Sequence, residues 1–265
     1  MSNNVISLQD VTIGYPARHH CHHVIGSNMQ ATAPKGTMTC IIGRNGTGKS
    51  TLLRSIARLQ NRLGGDILLN GHSIDSYAQD EFARLLSIVL TSRPDAQSMT
   101  VYELVALGRT PYTGFWGRLS DEDRKIVDHA LYMVGMQNMS RRRVCSLSDG
   151  ECQKVMIAKS LAQGTPIILL DEPTAFLDFH GKVELLTLLR RLAHNEGKTI
   201  LLSTHDLEAA LQTADRLWML DKDGIHEGEP KLLVANGDVD RYIGQKGVSV
   251  DEDFRIKISV SDNNN

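Results

Sequence analysis

The sequence predicts an α/β fold built on a mostly parallel sheet, with a helical stretch inserted into it. Three observations carry that reading. Met38 to Ile42 reads as a buried strand that passes through a glycine-rich loop into a helix from Lys49 onward. Ile167 to Leu170 is a run of four apolar residues, as suits a central strand buried on both faces. From Ile167 to Asp221 strand-like and helical segments alternate, as a parallel sheet requires.

Taken in order, strand-like segments run from Val5 to Gly14, Met38 to Ile42, Asp66 to Leu69 and Leu85 to Leu90. A helical stretch follows, from about Thr100 to Gln163. Within it Thr100-x-x-Glu103 and Ser120-x-x-Asp123 have the residue types of reciprocal helix caps. Ser148-x-x-Glu151 is a third such box, and the helix it opens runs to Gly164. After Ile167 to Leu170 comes a further strand, Thr199 to Ser203. Asp223-Gly224 reads as a hairpin turn. Beyond Gly247 a strand-like Arg255 to Val260 precedes a polar end, and no role is assigned to this tail.

The loop after Met38 to Ile42 is G-x-x-x-x-G-K-S, Gly43 to Ser50. Gly43, Gly46 and Gly48 permit backbone shapes that gather N–H groups around an anion. The helix that follows points its positive end at the same place. Lys49 supplies a point charge for the β- and γ-phosphates of a nucleotide, and Ser50 a hydroxyl for magnesium. A glycine-rich turn alone would not need Lys-Ser at that spacing.

Ligands of parallel sheets gather at the carboxyl ends of the strands. Asp171 and Glu172 end one strand there and suit magnesium holding and water polarisation. His205 follows Thr199 to Ser203 and can hydrogen-bond phosphate or attacking water without carrying charge. A cap explains Ser148 and Glu151 fully, but not Gly150 in the first helical turn, where glycine weakens a helix. A glycine there lets backbone N–H groups approach a phosphate, so cap and phosphate site are both open for Leu147 to Glu151.

With these motifs in this order, the chain resembles the ATP-binding cassette ATPases from about Val5 to Ile243. The resemblance implies a P-loop NTPase core with a mostly parallel sheet, an N-terminal antiparallel β region and an inserted helical subdomain. Its boundaries would be about 1–90 and 161–245 for the core, 91–160 for the helical subdomain and 246–265 for a tail. It implies that Gly43, Arg44, Asn45, Gly46, Thr47, Gly48, Lys49, Ser50 and Thr51 hold ATP, and that Lys49, Glu172 and His205 are catalytic. Ser148 and Gly150 belong to the signature, LSDGE here where LSGGQ is usual. Asp178 matches the D-loop, and Tyr15 the aromatic that stacks on adenine. Ser50 and Asp171 would hold Mg2+. Where the family usually has a magnesium-contacting Gln, this chain has Thr91, whose arm is shorter; Gln97 comes six residues later.

The resemblance also implies partners: a second copy that sandwiches ATP, a separate integral-membrane permease, and indirectly a periplasmic or lipoprotein binding protein. The run Val105 to Tyr112, with Phe115, Trp116 and Leu119 to Asp123, is similar to importers of iron–siderophore, haem and cobalamin. Phe115 and Trp116 read equally as packing residues. Net charge of −2 gives no reason to expect nucleic acid, and hydrophobic content of 41% supports a sizeable core in 265 residues. No apolar run approaches a membrane span, and Met1 to Asp10 is polar, so no secretory leader is expected. Cys40 in a strand and Cys152 in a helix argue against a disulfide framework. The expected place is the cytoplasmic face of the plasma membrane, held peripherally. The competing expectation is a soluble cassette ATPase acting on nucleic acid or ribosomes, which usually brings two cassettes, coiled coils or basic arms. His19, His20, Cys21, His22 and His23 could suggest metal, but adjacent residues cannot all face one ion, and a solvated loop is expected.

Overall fold

The computed structural model describes residues 4–16, 23–92, 94–96, 98–114, 116–221, 224–244 and 248–258. The strands are β1 (Asn4–Tyr15), β2 (His23–Pro34), β3 (Met38–Gly43), β4 (Gly64–Leu69), β5 (His72–Ser73) and β6 (Leu86–Val89). They continue as β7 (Ile167–Asp171), β8 (Thr199–Thr204), β9 (Arg216–Leu220), β10 (Ile225–Gly228), β11 (Val248–Val250) and β12 (Ile256–Ile258). The helices are α1 (Lys49–Ile56), α2 (Gln79–Leu85), α3 (Val101–Ala106), α4 (Asp121–Met133) and α5 (Asp149–Gln163). The last four are α6 (Phe179–Glu196), α7 (Leu207–Thr213), α8 (Pro230–Ala235) and α9 (Asp238–Ile243).

Two sheets carry the fold. The larger has six strands in the order β10-β9-β3-β8-β7-β6, parallel except where β10 returns along β9. The mostly parallel sheet is thus as expected. Its central strands bury both faces. Ile41, Leu169, Leu201 and Trp218 enter one core, and Cys40, Ile42, Ile168, Leu170 and Leu202 enter the other. That is why they read as continuous apolar runs rather than alternating ones.

The smaller sheet is antiparallel, in the order β2-β1-β4-β5. Leu52, Leu53 and Ile56 of α1 share its core with Ile6, Leu8 and Ile13 of β1 and with Ile41 and Leu169 of the larger sheet. The phosphate-loop helix is therefore clamped between the two sheets. β2 was not among the expected strands. Its pairing with β1 is interrupted by several register shifts, and Asn28 adopts φ 53°, so no clean alternation survives in the sequence. His23, expected in a loop, opens this strand opposite Tyr15. His19, His20, Cys21 and His22 lie outside the described residues, as do Gln97, Phe115, Asp223, Gly247 and the end of the tail.

The stretch from Thr100 to Gln163 is helical as expected, but in pieces. α3 passes into a 3-10 turn, Leu107–Tyr112, where Pro111 removes a backbone donor. Thr100, Ser120 and Ser148 each accept from the backbone N–H three residues on, so all three expected cap boxes form. α5 stops at Gly164 in the left-handed conformation, φ 72°. The strand expected at Leu85 starts one residue later because α2 runs through Leu85. Cys40 and Cys145 are free thiols, and burial pushes the Cys40 thiol far up. No helix among the described residues is long and apolar enough to cross a membrane.

One buried ion pair fastens this helical stretch. Arg109 Nε donates to Asp123 Oδ1 at 2.8 Å, and Arg109 Nη1 to the Ala162 carbonyl at 2.9 Å. The guanidinium lies 3.9 Å from the centre of the Tyr112 ring. Hydrogen bonds from Ser120, then from Arg109, hold the Asp123 carboxyl below the usual carboxylate range. Arg109→Met should cost about 2 kcal/mol in urea unfolding, because Asp123 then loses its partner. A lowered folded pKa stabilises above the unfolded value near pH ~4 and is lost as pH falls through the folded one. The gap between parent and variant should therefore narrow in acid; a gap independent of pH would contradict this account.

Candidate functional site

The parallel register assembles the site. Asp171 at the end of β7 pairs with Ser203 of β8, and Ile42, just before the end of β3, pairs with Thr204. The carboxyl ends of three strands therefore lie side by side, with the phosphate loop rising from one of them.

Within the loop, two glycines are required by geometry. Gly46 and Gly48 have φ 84° and 101°, in the region that side chains avoid. A Cβ on Gly48 would also lie 2.7 Å from Ile25 Cγ2 and 3.0 Å from Ile13 Cδ1. α1 then begins at Lys49 with no side-chain cap, so its leading N–H groups face the loop. Lys49 is buried, and its Nζ donates to the Gly43 carbonyl at 2.8 Å. Burial lowers its pKa, against the upward pull of Glu172 and then Asp171.

Ser50 Oγ donates to Asp171 Oδ1 at 2.8 Å, and Ser203 Oγ to the same oxygen at 2.7 Å. Ser203 Oγ also accepts from the Glu172 backbone N–H at 2.9 Å. Glu172 places one carboxylate oxygen 4.0 Å from Lys49 Nζ and the other 3.0 Å from His205 Nδ1. Lys49, Ser50, Asp171, Glu172 and His205 thus form one continuous cluster. Thr91 joins it from the strand that ends at Val89, donating its hydroxyl to the Asp171 carbonyl at 3.0 Å. Its proton is therefore directed at the backbone of β7, leaving only its oxygen lone pairs for a metal or water.

Tyr15 stands apart at the end of β1, 46% exposed, with its hydroxyl 3.5 Å from Thr51 Oγ1. Ser148 and Gly150 make no hydrogen bond to the phosphate loop among the described residues. Gly150 has a local reason as well. A Cβ there would lie 3.1 Å from Leu177 Cδ2 and 3.2 Å from the Phe176 carbonyl oxygen, tight contacts that favour glycine. Asp178 caps α6, its Oδ1 accepting from Gly181 N–H at 2.8 Å.

Ser203 was missed by sequence reasoning. The available signal was a hydroxyl near the carboxyl end of an otherwise apolar strand, one strand over from the paired acids.

A family model described as ABC transporter matches residues 27–175. The chain is 38% identical over 258 residues to the iron(3+)-hydroxamate import ATP-binding protein of Bacillus subtilis, covering 97% of this chain and 94% of that one. The chain belongs to the ABC transporter family. It is 36% identical over 245 residues to the ferric enterobactin transport ATP-binding protein of Escherichia coli, covering 92% and 89% of the two chains. A dimeric ATP-binding cassette in a post-hydrolysis state, bound to ADP and phosphate, matches it with a TM-score of 0.75 and 27% identity. That match covers 85% of this chain and 98% of the cassette. As a member of the ABC family the chain is an ATPase that binds ATP, and the reading as a nucleic-acid or ribosome ATPase is not favoured.

Ser203→Ala removes a donor to Asp171 and an acceptor from the Glu172 N–H together. Loss of such a supporting contact should lower kcat about 10-fold, with a smaller change in KM for ATP. Steady-state hydrolysis would check it, and a change confined to KM would contradict it.

Proposed function

We propose that this chain powers an importer of iron–siderophore, haem or cobalamin-type cargo. The observation that carries this is the Lys49–Glu172–His205 cluster on a chain that matches siderophore-import ATP-binding proteins over nearly its whole length. The roles of individual residues, the domain limits and the partners are part of the same proposal.

In this reading the phosphate loop, Gly43 to Thr51, cradles the phosphates, and Lys49 turns from the Gly43 carbonyl toward them. Tyr15 stacks on adenine. Glu172 orients the attacking water and draws its proton as the oxygen closes on the γ-phosphorus. His205, hydrogen-bonded to Glu172, keeps that carboxylate aimed and reaches the γ-phosphate. Ser50 and Asp171 offer a hydroxyl and a carboxylate oxygen that converge within 2.8 Å, a hard-oxygen set suited to Mg2+. When bound, Mg2+ neutralises phosphate charge. Thr91 contributes through water, because its arm is shorter than that of the Gln the family usually has there.

Half of each site comes from a second copy, whose Ser148 and Gly150 close on the γ-phosphate across the interface; Asp178 lies beside that joint. The core comprises about 1–90 and 161–245, and the helical subdomain about 91–160. A separate membrane permease docks on the surface around Thr91, Ser92, Asp149 and Phe176, between the two parts. This holds the chain at the cytoplasmic face of the membrane, with a substrate-binding protein on the other side.

Glu172→Gln tests the arrangement. It should retain ATP affinity, lose turnover by at least about 100-fold, and form an ATP-dependent dimer in sedimentation with the permease present. A variant that hydrolyses ATP at the parent rate would remove Glu172 from the reaction, and one that stays monomeric would remove the shared site.

A further inference from the structure

The phosphate loop is touched from outside by α9, close before the tail beyond Gly247 to which no role was assigned. Arg44, the first residue after Gly43, is exposed, yet its Nη2 donates to the Ile243 carbonyl at 3.2 Å. Ile243 is the last residue of α9, whose carbonyl end carries partial negative charge and suits a guanidinium. Burial, and then the Asp221 carboxylate, push the phenol of Tyr242, the residue before, upward, while the charge of Arg44 and a hydrogen bond from its backbone N–H pull it down.

Arg44 is also the hub of the loop's own bonding. Its carbonyl accepts from the Thr47 N–H at 3.2 Å, from Thr47 Oγ1 at 2.9 Å and from Lys49 Nζ at 3.4 Å. A displacement of Arg44 is therefore a displacement of Thr47 and Lys49. By contrast, among the described residues a Cβ on Gly46 would meet nothing within 4 Å, so that side of the loop's crest is open.

α9 is itself fixed. Val239 is fully buried in the larger core, and Val250 of β11 is buried beside it. The Asp240 carboxylate accepts the Val250 N–H at 2.9 Å, tying α9 to the hairpin. That hairpin is closed by β11–β12 pairing and by Asp251, which accepts from the Asp253 and Arg255 N–H groups.

We propose that α9 and the β11–β12 hairpin brace the phosphate loop, and that Arg44 is the positioning residue through which they set ATP affinity. This rests on the reading of Gly43 to Thr51 as the ATP phosphate site. A loop fixed before binding loses less conformational freedom when phosphate arrives. Loosening the brace should therefore weaken ATP binding while leaving the chemical step, carried by Glu172 and His205 at the strand ends, close to its parent rate.

Asp240→Ala is the decisive variant in the full-length chain. Asp240 is exposed, and among the described residues its carboxylate holds only the Val250 N–H. We expect KM for ATP to rise about 3- to 10-fold, the worth of about one hydrogen bond, with kcat within about twofold of the parent and the thermal midpoint little changed. Tyr242→Phe should act in the same direction. In Glu172→Gln protein, ATP should slow hydrogen exchange across residues 238–244 and 248–250. Lys49→Ala serves as reference and should lose ATP affinity. If Asp240→Ala and Tyr242→Phe keep the parent KM while Lys49→Ala loses binding, the brace is wrong and the phosphate site stands. If Lys49→Ala binds ATP normally, the phosphate-site reading fails and the brace falls with it.

Discussion

The site depends on the register of three parallel strands. Because Ile42 lies opposite Thr204 and Ser203 opposite Asp171, the ends of β3, β8 and β7 terminate on one line. A one-residue slip of β7 against β8 would exchange its buried faces and move Asp171 from the Ser203 hydroxyl. The two hydrophobic cores forbid that slip, since Ile168 and Leu170 are locked into one and Ile167 and Leu169 into the other. Packing on the sheet faces is thus what sets polar geometry at the sheet end.

What could be read in the sequence follows from how locally each feature is determined. The phosphate loop, the paired acids and the three capping boxes are short-range patterns, and each forms at its expected residues. Strands buried on both faces were equally legible as apolar runs. β2 was not, because its conformation is imposed by β1 through an irregular ladder, and residues such as Ser27, Asn28 and Gln30 look like loop residues until that partner is known. Ser203 and the Arg44–Ile243 contact were illegible for a different reason. Each joins elements distant in sequence, and neither residue type is diagnostic alone. Gly150 carries two readings at once: its glycine suggests phosphate approach, and Leu177 and Phe176, far along the chain, add a packing reason that no local pattern shows.

Charge in the site is arranged around one buried cation. Lys49 sits among the carbonyls of Gly43 and Arg44, with Glu172 4.0 Å away. Burial favours its neutral form and the two acids favour its charged form. The lysine is therefore held by groups that bind an ammonium more weakly than a triphosphate would. Two carboxylates beside a polyphosphate would otherwise repel it. That repulsion is the physical reason why the proposed reading puts a divalent cation at Ser50 and Asp171.

The last constraint lies in the backbone of Glu172. Its φ of 46° is left-handed, a conformation that costs a non-glycine residue about 1–2 kcal/mol. The surrounding bonds hold it there. Ser203 takes its N–H, and its carbonyl accepts from Ala175 at 3.1 Å, closing a turn directly after β7. In an extended conformation β7 would carry Glu172 onward along the strand, away from the ends of its neighbours. The left-handed turn instead folds the carboxylate back across the sheet end, between Lys49 and His205. Asp171, still in the strand, stays with Ser50. Two adjacent acids are thereby given different neighbours, Ser50 and Ser203 for one, Lys49 and His205 for the other, by a single backbone angle.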